Sequence, residues 1–387
     1  FDVSAVDGFM NIEESDLLLF PDPTTLAVLP WRPSAGRVVR MYCNIRYPDG
    51  RPFLGDGRYL LDQALQEMKQ AGFTCQIGTE CEFYLFELDE HGSPTLVPQD
   101  RAGYLDIAPL DKGENVRRDI SLALEQMGLV PEGSHHEKGP GQNEIWCRRS
   151  GAGAAADDFI TYKSVVRTIA AQNGLFASFM PKPIDNKSGN GLHINISLYK
   201  DGENQFKDGV ENENGNAFMA GILDKVAEIT AFLNPTTNSY QRFGHFEAPK
   251  FISWSAGNRA QLMRLPEDRG ENARMELRSA DPLCNPYLAF NLLLRAGLEG
   301  IEKKARLGAP AEFDFAKLPP DVQVTYATLP QNLGQAIELA EGSVFVRRCL
   351  PATIVEKAMA SGRYEWESLL HTEDRLAFEL AQYFERL

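Results

Sequence analysis

Glu80 and Glu82, in the run TECEFYLF, stand two residues apart. On a strand that spacing turns both carboxylates to one face and Cys81, Phe83 and Leu85 to the other. A solvated edge accounts for one such glutamate; two side by side repel and ask for a cation. The segment EGSHHEKGPGQNE adds Glu132, His135, His136, Glu137 and Glu144 around a Gly-Pro-Gly loop. That loop can fold Glu137 and Glu144 back toward one point. A surface acidic loop is the plain alternative, but two imidazoles crowded with three carboxylates favour a site.

A third constellation lies in PKPIDNKSGNGLHINIS, residues 181–197. Its glycines permit close backbone approach. Past the turn, His193, Asn195 and Ser197 share one strand face, and Ile194, Ile196 and Leu198 the other. This polar face suits a phosphate or metal site, although a lone strand histidine is more often structural. In NARMELRS, Arg274, Glu276 and Arg278 alternate with apolar residues, which by itself fits a salt-bridge ladder. Arg242, Arg259, Arg264 and Arg269 precede them. Six arginines so close together in an acidic chain suggest anion binding, because guanidinium grips phosphate and carboxylate bidentately.

Several elements must position these groups. Short apolar runs and turns between Asp16 and Phe53 predict an antiparallel meander. Asp56 caps a helix predicted over about 58–71 and stopped by Gly72. Further helices are predicted over about 114–127, 154–172 and 286–303. Strands are predicted over 74–79, 80–88, 175–180, 250–255, 260–265 and 274–279, with helices and loops from about Pro310. Antiparallel strands separated by helices, without repeated βαβ units, predict an α+β fold.

The chain has 387 residues, a net charge of −15, 43% hydrophobic and 24% charged residues. That balance suits a globular protein with a large core and argues against a nucleic-acid surface. Six scattered cysteines, without zinc spacing or a disulfide framework, predict a reducing, cytoplasmic setting. Neither a membrane span nor a signal peptide is predicted. The chain opens on Phe1 in already patterned sequence, so a preceding segment is expected.

Taken in order, Glu-x-Glu, Glu-x6-Glu through PGQ, KP…GxGxHxxxS, NRxxxxR and RxExR resemble the glutamine synthetase family, in its bacterial type I-like form. The likeness extends to FDVSAVDGF, AGYLDIAPLD, FEAP and NPYLAFNLLLRAGLEGI, and covers Phe1 to about Lys303. It implies a curved antiparallel catalytic sheet surrounded by helices (54–387), preceded by the remnant of a β-grasp-like N-terminal domain (1–53). It implies ATP-dependent ligation of ammonium to glutamate through γ-glutamyl phosphate, with Mg2+ or Mn2+ at two or more positions. By position, Glu82, Glu137 and Glu144 match the ligands of one metal, and Glu80, His193 and Glu276 those of the other. Arg259, Arg264 and Arg274 match phosphate-handling positions, the last two toward the nucleotide, and Glu132 and Ser197 match nucleotide contacts. Arg242, Arg278 and the backbone at Gly189 match glutamate contacts. Asp2, Tyr104, Glu137 and Glu247 match the ammonium pocket, with Glu247 on a flap that shields the acyl phosphate. In the family the Asp2 segment reaches a neighbouring subunit, so homo-oligomeric rings, dodecameric by resemblance, are implied; neither nucleic acid nor membrane is expected as a partner.

The chain departs from the family pattern in four places. Asp2-Val3-Ser4-Ala5 lacks a hydroxyl found in the family, the flap RFGHFEAP is one residue short, Ser188 replaces the usual asparagine, and Val322–Thr325 occupies the place of an adenylylated tyrosine loop. The rival expectations are a γ-glutamyl ligase for an organic amine such as a polyamine or methylamine, and a non-catalytic relative. No P-loop or kinase loop is present.

Overall fold

The structure, a computed structural model, describes residues 1–2, 16–32, 36–267 and 270–385. Arg269, Val3, Ser4 and Ala5 lie outside them.

An α+β fold is built around an 11-stranded sheet. Its main path runs Trp254–Ser255, Met263–Arg264, Met275–Leu277, Leu192–Lys200, Phe73–Leu88, Gln142–Cys147, Pro131–His136. Neighbours are antiparallel except the outermost pair, Trp254–Ser255 with Met263–Arg264, which is parallel. The strands predicted over 74–79 and 80–88 are one continuous 16-residue strand, Phe73–Leu88. It is continuous because its partners change along its length: Leu192–Lys200 pairs with residues 73–81, while Gln142–Cys147 and Leu175–Ser178 take residues 80–87. The long strands expected at 250–255, 260–265 and 274–279 shrink to two or three residues.

One sheet face is apolar. Ile77, Cys81, Phe83, Leu85, Ile194, Ile196, Met275 and Leu277 are buried there with the helix Ala152–Gln172, which contributes Phe159, Tyr162, Val166 and Ile169. Tyr162 ties the helix to the strand by donating to the Cys81 carbonyl at 3.0 Å. Asp56 is an N-cap as expected, accepting from the Arg58 N–H, and its other oxygen accepts from Ile45 N–H at 2.9 Å.

Two corrections concern the rest of the chain. In the N-terminal β region, Leu18–Pro21 pairs with Cys43–Arg46 and Ala27–Val28 with Val39–Arg40. This nested arrangement replaces the expected meander. A long helix, Glu213–Leu233, capped by Asn212, was not predicted. It crosses Pro286–Glu302 where Gly221 and Gly300 meet; a Cβ on Gly221 would lie 2.3 Å from the Ala296 carbonyl oxygen. No helix among the described residues is long and apolar enough to cross a membrane.

Candidate active site

Strand register assembles the polar face. It sets His193 opposite Glu80, Glu82 opposite Glu144, and His135 opposite Glu144 on the next strand. On the other side Asn195 faces Glu276, which faces Arg264. Side-chain donors of Glu80, His193 and Glu276 lie within 4.8 Å of one another, as do those of His135, Glu137 and Glu144. Glu82 stands beside the second cluster, its Oε2 accepting from Gly191 N–H at 2.7 Å. Hard carboxylate oxygens with one or two imidazoles fit a divalent cation such as Mg2+ or Mn2+.

The two clusters differ in charge compensation. Burial raises the Glu80 carboxyl, but hydrogen bonding to His193 (3.2 Å) and Asn195 (2.9 Å) outweighs it and holds the group at about 2. Glu276 is also held below its usual value, as Arg278 and His193 overcome burial; Arg278 and Arg264 both donate to it. Glu82 has weaker help: burial, then repulsion from Glu137, outweigh the lowering by His193, the Gly191 N–H and Arg242 and push it to about 7. Glu144 is raised well above its ordinary value by burial and then by Glu82, Glu80 and Glu137. The second cluster therefore carries uncompensated buried charge, which favours either a proton or a cation.

Behind it lies a satisfied polar network. His136 bridges the Asp100 carboxylate (2.9 Å) and the Glu137 carbonyl (2.6 Å). Burial opposes its protonation, yet Asp100 prevails and raises it. Asp100 also accepts from the backbone N–H of Gly141 and Lys112, which pins the loop carrying Glu137. His136 thus has a positioning role that its sequence neighbourhood did not separate from His135.

Two clefts of about 290 and 280 Å3 meet at Glu80, which lines both. The first is lined by Tyr104, Glu137, Gly189, His193, Arg242, Glu247, Arg259 and Arg278 among others. Arg242 and Arg278 are buried there, and each keeps an Nε–H without a partner, a donor surplus suited to a carboxylate. Gly189 is needed for protein packing: a Cβ would lie 2.5 Å from the Pro181 carbonyl and 2.7 Å from the Arg242 stem. The second cleft is lined by Glu132, Asn195, Ser197 and Arg274, and by Trp146, Arg148 and Arg149, which sequence reasoning missed. The adjacent Arg148-Arg149 pair in an acidic chain was the available signal. Arg264 and Asp2 line neither cleft. Arg264 is engaged with Glu276 at 3.2 Å, and Asp2 makes a bridge to Asp16 near the N-terminus.

The flap is a tight turn over the first cleft. Gly244 N–H donates to the Ala248 carbonyl at 2.9 Å, and Ala248 N–H to the His245 carbonyl at 3.0 Å. Between them Phe246 and Glu247 both take positive φ, 48° and 70°. Two successive non-glycine residues in that region cost about 1–3 kcal/mol each and persist only where surroundings enforce them.

The family description "Glutamine synthetase, catalytic domain" matches residues 54–382, and "Glutamine synthetase, beta-Grasp domain" matches residues 1–48. A glutamine synthetase of Methanosarcina mazei is 45% identical over 95% of this chain and 84% of its own length. One of Clostridium saccharobutylicum is 44% identical over the same shares. A solved GmaS/ADP complex superposes with a TM-score of 0.86 and 30% identity, covering 99% of this chain and 88% of that one. The chain belongs to the glutamine synthetase family and is an ATP-dependent ligase that uses a divalent metal.

Proposed function

We propose that this chain joins ammonium to the γ-carboxylate of L-glutamate through γ-glutamyl phosphate, with ATP as phosphoryl donor. The observation that carries the reading is the meeting of two clefts at Glu80, between two clusters of carboxylate and imidazole. Glutamate is assigned to the first cleft, where the surplus donors of Arg242 and Arg278 receive its carboxylate beside the Gly189 backbone. ATP is assigned to the second, with Arg274, Ser197 and Glu132 lining it and Arg264 reaching it only through Glu276; the ADP of the GmaS neighbour supports nucleotide use. The assignment puts the γ-phosphoryl at the junction, within reach of Arg259.

Glu82, Glu137 and Glu144 would hold one cation and Glu80, His193 and Glu276 another, with His135 beside the first. Bound divalent cations supply neutralisation of phosphate oxygens. Glu247, Tyr104 and Glu137, with Asp2 of a neighbouring subunit, form the proposed amine pocket, where a carboxylate orients the nitrogen and accepts its proton. Glu247 on the closed flap would keep water from the acyl phosphate. This reading requires a ring assembly, taken as a dodecamer, and divides the chain at 53/54 into a latch-bearing β domain and a catalytic domain. It places the protein in the cytoplasm, a setting its six unpaired cysteines suit.

Phosphate release with Mg2+, ATP and glutamate, comparing ammonium with methylamine and a panel of polyamines, tests the substrate. The expected result is fastest turnover with ammonium. Faster turnover with any organic amine would replace this reading with the amine-ligase one.

A further inference from the structure

The loop that presents Glu137 also carries a cation into the same cleft. Lys138 donates its backbone N–H to Glu137 Oε2 at 3.0 Å, and its Nζ reaches Glu247 Oε1 at 2.7 Å. Both side chains line the cleft with Tyr104, Glu137 and Arg242. A lysine head group is a primary alkylammonium with three N–H donors and one positive charge. Chemically it is what the proposed pocket is built to receive.

We infer that Lys138 is a built-in competitor for the amine pocket: its ammonium group occupies Glu247, and the substrate nitrogen must displace it. The inference rests on the proposed placement of Glu247 in that pocket. Three observations make the exchange feasible. The Lys138 and Glu247 side chains are 39% and 49% exposed, so their attraction is screened and weak. The flap does not depend on the pair, because the bonds of Gly244 to Ala248 and of Ala248 to His245 fix the turn, and the Lys182 Nζ sits 4.8 Å above the Phe246 ring. The lysine stem is also flexible enough to withdraw its head to solvent while its backbone N–H keeps hold of Glu137. Lys138 is thereby a specificity residue, setting how much amine the enzyme requires without touching the nucleotide cleft.

Steady-state kinetics on the assembled enzyme test this. Lys138→Met keeps the stem and removes the charge. The KM for ammonium is expected to fall about fivefold at low salt, equivalent to about 1 kcal/mol, with the KM values for ATP and glutamate within about twofold of the starting protein. The fall should shrink as ionic strength rises. Lys138→Gln, differing in shape but equally neutral, should reproduce it. An unchanged or raised ammonium KM in both variants overturns the inference. Glu247→Ala separates the two levels of the argument. If it leaves amide yield and ammonium KM unaltered, the amine-pocket reading itself fails. If it abolishes amide formation while the Lys138 variants leave the ammonium KM unchanged, only the role of Lys138 fails.

Discussion

Glu82→Gln should stabilise the metal-free protein and weaken its hold on divalent cations, two effects of opposite sign from one substitution. Glu82 is buried against Glu137, and its carboxyl sits at about 7 instead of 4.5. At ~1.4 kcal/mol for each tenfold change in proton affinity, ionising it in the folded state costs about 3 kcal/mol more than in the unfolded chain. The unfolded carboxyl loses its proton near 4.5, whereas the folded one keeps it to about 7. Between those values the folded state binds more protons, so stability falls as pH rises and levels off above the folded value. Glutamine removes the charge but keeps an oxygen to accept the Gly191 N–H. At about pH 8 the gain of about 3 kcal/mol corresponds to a rise in Tm of about 4 °C for a chain of this length.

The assay is thermal unfolding in chelator from about pH 5 to about pH 8, wild type against Glu82→Gln, repeated with Mg2+. His136 is also raised, and the stability it adds is lost as pH rises through its folded value, in the same direction as the Glu82 effect. The difference between the two proteins at each pH cancels that contribution. The gap should open between about pH 5 and about pH 7. With Mg2+ the gap should narrow by about 1.4 kcal/mol for each tenfold by which the variant binds more weakly, and the variant should bind at least about tenfold more weakly. If the metal-free variant tracks wild type across the range, or is less stable at high pH, the argument from uncompensated buried charge is wrong.

His136→Gln leaves the buried Asp100 carboxylate without its imidazole partner; a loss of up to about 3–5 kcal/mol and about 10–100-fold weaker Mn2+ binding through Glu137 are expected, measured by chemical unfolding and calorimetry. Gly221→Ala drives a Cβ against the Ala296 carbonyl oxygen, and a lower Tm equivalent to about 1–3 kcal/mol should result; an unchanged Tm would mean that the helix crossing is looser than described. Arg274→Ala should raise the KM for ATP at least tenfold (~1.4 kcal/mol) while sparing that for glutamate, and an equal effect on both would remove Arg274 from the nucleotide side.

The polar face was legible because strand alternation is a strict period of two. Once Glu80, Glu82, His193 and Glu276 were placed on strands, their facing direction followed. Which residue met which was not legible, since register depends on partners far apart in sequence: Glu80 and His193 are paired across 113 positions. The Glu213–Leu233 helix escaped detection because it is buried on several sides, among them Phe218, Met219, Ile222 and Val226, so no apolar stripe stands out against a polar face. The short strands near 254, 263 and 275 were overread because apolar residues such as Phe251, Ile252, Leu262 and Leu265 flank the few residues that pair. The contact between Lys138 and Glu247 could not be read from sequence, as it joins two loops 109 residues apart.

The same strand explains why the two clusters behave differently. Glu80 and Glu82 share a face and are separated by one residue, yet one is held at about 2 and the other at about 7. Their own chemistry is identical, so the difference comes from what register brings alongside. Toward Leu192–Lys200 and Met275–Leu277, Glu80 meets His193 and Asn195, and Glu276 meets Arg264 and Arg278. Two carboxylates there face two guanidinium groups and an imidazole. Toward Pro131–His136 and Gln142–Cys147, Glu82 meets Glu144 and Glu137, and the nearby Lys138 is turned to Glu247. Negative charge is thus nearly balanced on the side adjoining the proposed nucleotide cleft and in excess on the side adjoining the proposed amine pocket. A cation is demanded by the second side before any substrate arrives. On the first side the resident arginines already supply positive charge, so a phosphate entering there adds the negative charge that makes a second cation favourable.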